Sequence, residues 1–187
     1  MNDFKEIKPE QLDKNIFHLI NNEWMLITAE KDNKINTMTA SWGGFGILWN
    51  KKVANVFIRP QRYTKEFVDG SNTFSLCFFD KEYKKTMAYL GSVSGRDEEK
   101  IKKSFLTINH IDNTPYFEEA NMVMVCKKLY AQEMKPECFI EKELENNNYP
   151  DKDYHTLYIS EIERIYLKGE TYICINTCNK SYENIYK

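Results

Sequence analysis

Apolar residues recur at Leu12, Ile16, Leu19 and Ile20, and this helical spacing predicts a helix over residues 9–22 with Pro9 in its first turn. Beyond it the pattern changes to that of strands. Residues 24–29 read as a strand, Asp32-Asn33-Lys34 as a turn, 35–41 as a second strand and 53–58 as a third, closed by Arg59-Pro60. A short helix is expected over 64–68, with Thr64 able to cap it, Glu66 in its first turn and Gly70 suited to its end. Residues 73–79, β-branched and aromatic, form the clearest strand. Two more short helices are expected over 83–90 and 97–105, the second with Glu98–Lys102 and Glu99–Lys103 one helical turn apart. The segment 120–130 holds the unbroken apolar run Met122-Val123-Met124-Val125-Cys126, fit for a strand buried on both faces. Residues 141–153 are polar and read as a loop. Residues 154–167 read as a strand, although Ile159, Ile162 and Tyr166 also satisfy a helical period. Five or six strands broken by short helices predict a β-rich α+β domain, arranged as a barrel.

Composition narrows the function classes. A chain of 187 residues fits one domain and buries roughly 70% of its unfolded surface without a disulfide or metal staple. A formal net charge of −2 with no basic block argues against nucleic acid or an acidic membrane surface as partner. No apolar stretch approaches the roughly 20 residues of a membrane span, and the charged N-terminus lacks the centre of a signal peptide, so a cytoplasmic protein is expected. Of five cysteines, Cys77 and Cys126 sit in apolar runs and read as small core residues. Cys174 and Cys178 are four apart but lack further ligands, so no metal site is expected. Residues 169–187 show no clear pattern and are read as a tail following a domain of residues 1–168.

Chemistry-bearing residues concentrate in two places. Asn36-Thr37-Met38-Thr39-Ala40-Ser41-Trp42 sets an amide, three hydroxyls and an indole side by side at a strand end, and glycines at 43, 44 and 46 follow, which permit a bend or close approach to a flat ligand. About one strand later, Arg59, Gln61, Arg62, Tyr63 and Thr64 offer forked donors and a hydroxyl just before a helix N-terminus, a combination suited to phosphate. A third cluster, Ser94-Gly95-Arg96-Asp97, opens a helix and could close over the same phosphate. Each alone also fits an ordinary strand, surface turn or capped helix. Together they point to a planar, phosphate-bearing cofactor such as a flavin, whose ring edge needs donors where charge accumulates on reduction. No G-x-G-x-x-G follows a strand and no P-loop motif occurs.

The stretch N-T-M-T-A-S-W-G-G-F-G, then V-F-I-R-P-Q-R-Y-T, then S-G-R-D, resembles the flavin reductase-like, FMN-binding split-barrel proteins, in particular the flavoredoxins. The resemblance runs from about residue 15 to 167 and includes K-L-Y-A-Q and Y-H-T-L-Y-I-S-E-I. It implies a six-stranded split barrel with short peripheral helices, a homodimer, and FMN held noncovalently near the subunit interface. It carries Asn36, Thr37, Met38, Thr39, Ala40, Ser41 and Trp42 over to the flavin ring and ribityl side, Arg59, Gln61, Arg62, Tyr63 and Thr64 to the phosphate side, and Ser94, Gly95 and Arg96 to a third contact region. His155 falls where nicotinamide-using relatives carry D-H-x-x-x-x-G-x-V, which marks it as a catalytic candidate, but Tyr154 replaces the acid and Ser160 the glycine. Use of NADH or NADPH as electron donor is left open by that departure. The resemblance implies a flavin reductase-like oxidoreductase, or else a flavoredoxin-type carrier that exchanges electrons with a redox protein partner.

Overall fold

Two tight hairpins set the frame. Asp32 and Asn33 have φ of 51° and 58°, and Trp49 and Asn50 have φ of 51° and 57°. Consecutive positive φ values define the two-residue turn whose twist matches antiparallel strands. The computed structural model describes residues 3–169. Its strands are β1 (Phe4–Ile7), β2 (Met25–Lys31), β3 (Lys34–Ala40), β4 (Gly43–Leu48), β5 (Lys51–Ile58), β6 (Thr73–Phe78), β7 (Ile108–Ile111), β8 (Thr114–Phe117), β9 (Met122–Glu133) and β10 (Thr156–Lys168). Its α-helices are α1 (Ile16–His18), α2 (Thr64–Gly70), α3 (Lys84–Ser92), α4 (Lys100–Ser104) and α5 (Lys142–Asn148). The molecule is therefore strand-rich α+β, as the pattern predicts.

The main sheet has eight antiparallel strands in the order β3-β2-β6-β9-β10-β5-β4, with β1 also on β10, where six were expected. Among the described residues its hydrogen-bonded path begins at β3 and ends at β4. Those two edges are consecutive in the chain, joined only by Ser41 and Trp42. Three Cα–Cα steps span at most about 11 Å, so the sheet must curl until its edges approach each other at this seam.

Inside the curl, residues of seven strands meet in one apolar core that includes Ile7, Met25, Ile27, Met38, Val56, Phe74, Phe78, Met124, Tyr158 and Ile165. The opposite face of β2, β6 and β9 is covered by α3 and the β7–β8 hairpin, through Leu26, Cys77, Met87, Leu90, Phe117 and Val123. Both faces of the first half of β9 are thus dry, which is why Met122-Val123-Met124-Val125-Cys126 shows no alternation. Cys77 and Cys126 are fully buried, and burial pushes both thiols up, Cys77 to about 11.

Several expectations are corrected. The helix over 9–22 is broken into a 3₁₀ turn at Pro9–Gln11, then α1 and a π-turn at Leu19–Glu23. Asn15 interrupts it by adopting an extended conformation and capping His18 N–H through its side chain at 3.1 Å. The glycines after Trp42 do not bend the chain but form the edge strand β4. Thr64 lies inside α2 rather than capping it, and Gly70 ends α2 without positive φ. A Cβ at Gly70 would come within 2.6 Å of the exposed Lys31 side chain, which would have to shift to admit it. The helix expected over 97–105 shrinks to α4, and its ion pairs are Lys102–Glu99 and Lys103–Glu98 instead of those one turn apart. Residues 141–153 contain α5, whose good helix formers Lys142, Glu143, Leu144 and Glu145 outweigh a lack of any buried face. The segment at 154–167 is strand, settled by pairing with both β5 and β9. Cys174, Cys178 and nearly all of the tail lie outside the described residues.

Candidate functional site

At the seam a cleft of about 230 Å³ is lined by Met38, Thr39, Ala40, Ser41, Trp42, Phe57, Arg59, Arg62 and His155. The sheet topology explains the gathering. The end of β3, the linker and the end of β5 all arrive where the sheet edges meet, and His155 precedes β10, the strand paired with β5. Trp42 remains 48% exposed, so its indole forms a wall of the cleft and not part of the core. Its ring packs on the His155 imidazole with centroids 5.1 Å apart.

The cations of the cleft differ in what they already hold. Arg59 donates to Asp153 Oδ2 at 2.5 Å and to the Asn148 carbonyl at 2.8 Å, and its guanidinium lies 5.2 Å from the Tyr149 ring centre. Gln61 donates to the same Asp153 oxygen at 2.7 Å. Arg62 donates through Nη1 to the Gly91 carbonyl at 2.9 Å, while its Nη2 is buried without a hydrogen-bond partner. Burial works against its charge and lowers its pKa. A buried N–H with no acceptor costs about 1–3 kcal/mol, more for a charged group, so Arg62 is set to receive an anion.

Lys100 adds a buried cation that the sequence pattern did not single out. It is 3% exposed and donates to the Leu90 and Val93 carbonyls at 2.8 and 3.0 Å. With Arg62 on Gly91, two cations thus take three carbonyls at the C-terminal end of α3, where a positive charge is favoured. Burial, then the Arg62 charge, pushes the Lys100 amine down to about 8.

The remaining sequence candidates do other work in this structure. Asn36 donates to Thr64 Oγ1 at 3.0 Å, tying β3 to α2. A Cβ at Gly95 would lie 2.3 Å from Asn36 Oδ1, so the 94–96 turn packs on the same amide. Thr37 exchanges a 2.8 Å bond with Thr28, its cross-strand partner. Thr39 donates to the Met87 carbonyl at 2.5 Å, holding α3 against the end of β3. Ser94 caps Arg96 N–H at 3.1 Å, and Arg96 pairs with Glu66 while its guanidinium lies 4.5 Å from the Tyr63 ring centre. Met38, Thr39, Ala40, Ser41, Trp42, Arg59, Arg62 and His155 are therefore brought together, with Gln61 one contact away. Asn36, Thr37, Tyr63, Thr64, Ser94, Gly95 and Arg96 do not line that cleft; Asn36, Tyr63 and Gly95 line a separate cavity of about 530 Å³ together with Lys100.

Asp153 and Tyr149, bonded to Arg59 and to His155, lie beside the cleft and were not among the sequence candidates. Asp153 Oδ1 is buried with no partner, and its carboxyl is held below the usual range first by Arg59, then by Gln61. Asp153 stands two residues before His155, one position earlier than the acid of the D-H pattern. That spacing was the available signal. Tyr149 contacts His155 directly, its hydroxyl 2.8 Å from Nδ1. Among the described residues, no three or more His, Cys, Asp or Glu side chains are placed to hold a metal ion, and no helix is long and apolar enough to cross a membrane.

The family model described as flavin reductase like domain matches residues 17–185, which takes in most of the tail. Solved structures of similar fold include an FMN-binding domain of a flavin reductases-like enzyme from Shewanella baltica OS155, with 17% identity, TM-score 0.65, and 89% of this chain and 78% of that one covered. A flavoredoxin from Methanosarcina acetivorans aligns at 19% identity and TM-score 0.63, over 88% of this chain and 76% of its own. The styrene monooxygenase flavin reductase from Pseudomonas putida S12 aligns at 14% identity and TM-score 0.56, over 76% and 77%. At such identities the likeness is one of fold. No curated protein sequence matches the chain.

Proposed function

The chain belongs to the flavin reductase-like domain family, matched over residues 17–185, and from that membership we propose that it is an FMN-binding oxidoreductase whose cofactor occupies the seam cleft. The observation that carries the reading is Arg62 Nη2, a buried, unpartnered cationic donor in a cleft walled by Trp42 and the polar end of β3. These residues fit FMN: Arg62 would take the phosphate, the exposed Trp42 indole offers flat apolar surface, and Ser41 offers a hydroxyl to polar groups of ring or ribityl chain. Bound FMN would supply hydride and electron transfer, which no side chain here can perform. The protein's own part is to bind, orient and limit water.

A cleft of about 230 Å³ is below the roughly 300–1,000 Å³ of ligand sites, so one chain provides only part of the enclosure. The outer face running from the cleft supports a homodimer that completes it. There Phe57, Leu157 and Ile159 are only half-buried, Tyr130 is exposed, and no protein atom lies within 4 Å of a Cβ built on Gly44 or Gly46. Asn55 Oδ1 on this face is buried without a partner. Ile159→Glu is expected to shift the protein to monomer in light scattering and to weaken FMN binding with it. A variant that stays dimeric would remove this face from the interface.

Reductase and carrier are separated by anaerobic addition of NADH or NADPH to FMN-loaded protein. We expect bleaching of the flavin band, slowed in His155→Ala because His155 shares the cleft. No bleaching by either nicotinamide, with ready reduction by dithionite, would instead identify a flavoredoxin-type electron carrier, a role the exposed Trp42 also suits. Bleaching unchanged in His155→Ala would remove His155 from the mechanism.

A further inference from the structure

His155 is buried, yet among the described residues it is the titratable ring that lines the cleft, and its two nitrogens have different fates. Nδ1 lies 2.8 Å from the Tyr149 hydroxyl, whereas Nε2, across the ring, has no hydrogen-bond partner among the described residues. The Tyr149 ring stands edge-on to the imidazole at 82° and is itself fixed by Phe139 and Tyr154, with centroids 5.6 and 5.1 Å away. A phenol has one proton to donate, and an unprotonated imidazole nitrogen is a far better acceptor than Met134 Sδ, the other group near that hydroxyl at 3.6 Å.

We propose that Tyr149 is a positioning residue: it donates to His155 Nδ1 and so fixes the neutral tautomer that carries its proton on Nε2, turned to the cleft as a hydrogen-bond donor. This rests on the FMN-site reading only for the identity of the ligand. Its content concerns the tautomer itself. On this assignment His155 recognises an acceptor atom, a carbonyl or phosphate oxygen, and does not deliver a proton.

The charged surroundings agree. From the end of β5, Arg59 sits over Tyr149 and opposes an imidazolium; from the turn before β10, Asp153 favours one but is already paired with the Arg59 charge and hydrogen-bonded by Gln61. Glu145 of α5 is engaged by the Tyr154 hydroxyl at 2.7 Å. Arg62 also lines the cleft. Burial first, then the Arg59 charge, pushes His155 down to about 4, so its ring stays neutral across the physiological range. Burial raises the Tyr149 pKa, which keeps its proton on the phenol.

The test is long-range ¹⁵N–¹H NMR of the histidine rings on full-length protein without cofactor, followed from pH 5 to 8. The wild type is expected to show His155 as a fixed Nε2–H tautomer that does not titrate. In Tyr149→Phe, which keeps the ring that packs on Phe139 and Tyr154, the Nδ1–H tautomer should appear alongside it. A wild-type Nδ1–H tautomer, protonation near the ordinary histidine value of about 6.5, or a Tyr149→Phe spectrum identical to wild type would overturn the assignment. Because the tautomer is read without flavin, failure of the FMN reading would show separately, as absent FMN binding.

Discussion

Arg62→Ala is expected to weaken FMN binding ten- to a hundredfold and to leave riboflavin binding nearly unchanged. The expectation follows from one atom. Arg62 Nη2 is buried with no partner, while Nη1 is satisfied by the Gly91 carbonyl. A charge-assisted contact to phosphate contributes about 1.5–3 kcal/mol, which is one to two decades in affinity. Arg59 is less available, since Asp153 and the Asn148 carbonyl already engage both Nη1 and Nη2. Lys103→Ala is the control, because Lys103 is exposed on α4, pairs with Glu98 and does not line the cleft. Equal FMN affinities for the two variants, measured by quenching of flavin fluorescence, would place the phosphate elsewhere.

Phe78→Ala should destabilise the fold by about 3–5 kcal/mol, as truncation of a buried aromatic ring does. Phe78 is fully buried in the core of the curled sheet and meets the Phe45 ring edge-on at 6.4 Å. Phe45 belongs to the edge strand that begins immediately after Trp42, so the cavity would loosen the wall of the cleft as well as the core. At about 2–4 °C per kcal/mol for a chain of this size, the melting temperature should fall by roughly 6–20 °C. FMN affinity should fall with it. A loss below about 1 kcal/mol, typical of surface sites, would mean that Phe78 does not anchor the sheet edge.

The sequence made the core strands legible where burial leaves a strong signature. Met122 to Cys126 is apolar without alternation because β6 and β10 flank it and both its faces are covered. Asp32-Asn33 declares a hairpin because both tolerate positive φ. The edge strand β4 was illegible for the opposite reason: glycines at 43, 44 and 46 have poor strand propensity, and pairing with β5 imposes the conformation from outside. The helix α5 is not legible because Leu144 is its single apolar residue and is exposed, so no periodicity marks it.

In the site, the residue types for an anion and a flat ring could be read from Asn36 to Trp42 and from Arg59 to Thr64. Which of them are free could not. Asp153 captures Arg59 from 94 positions away, and Thr64 is consumed by Asn36 from 28 positions away. Only the fold decides that Arg62 is left with an unmet donor.

The most direct test is a titration of the wild-type protein with FMN and, separately, with riboflavin, followed by flavin fluorescence. The account predicts that both are quenched and that FMN binds ten- to a hundredfold more tightly, the difference carried by the phosphate at Arg62. Absence of FMN binding, or equal affinity for the two flavins, would contradict it.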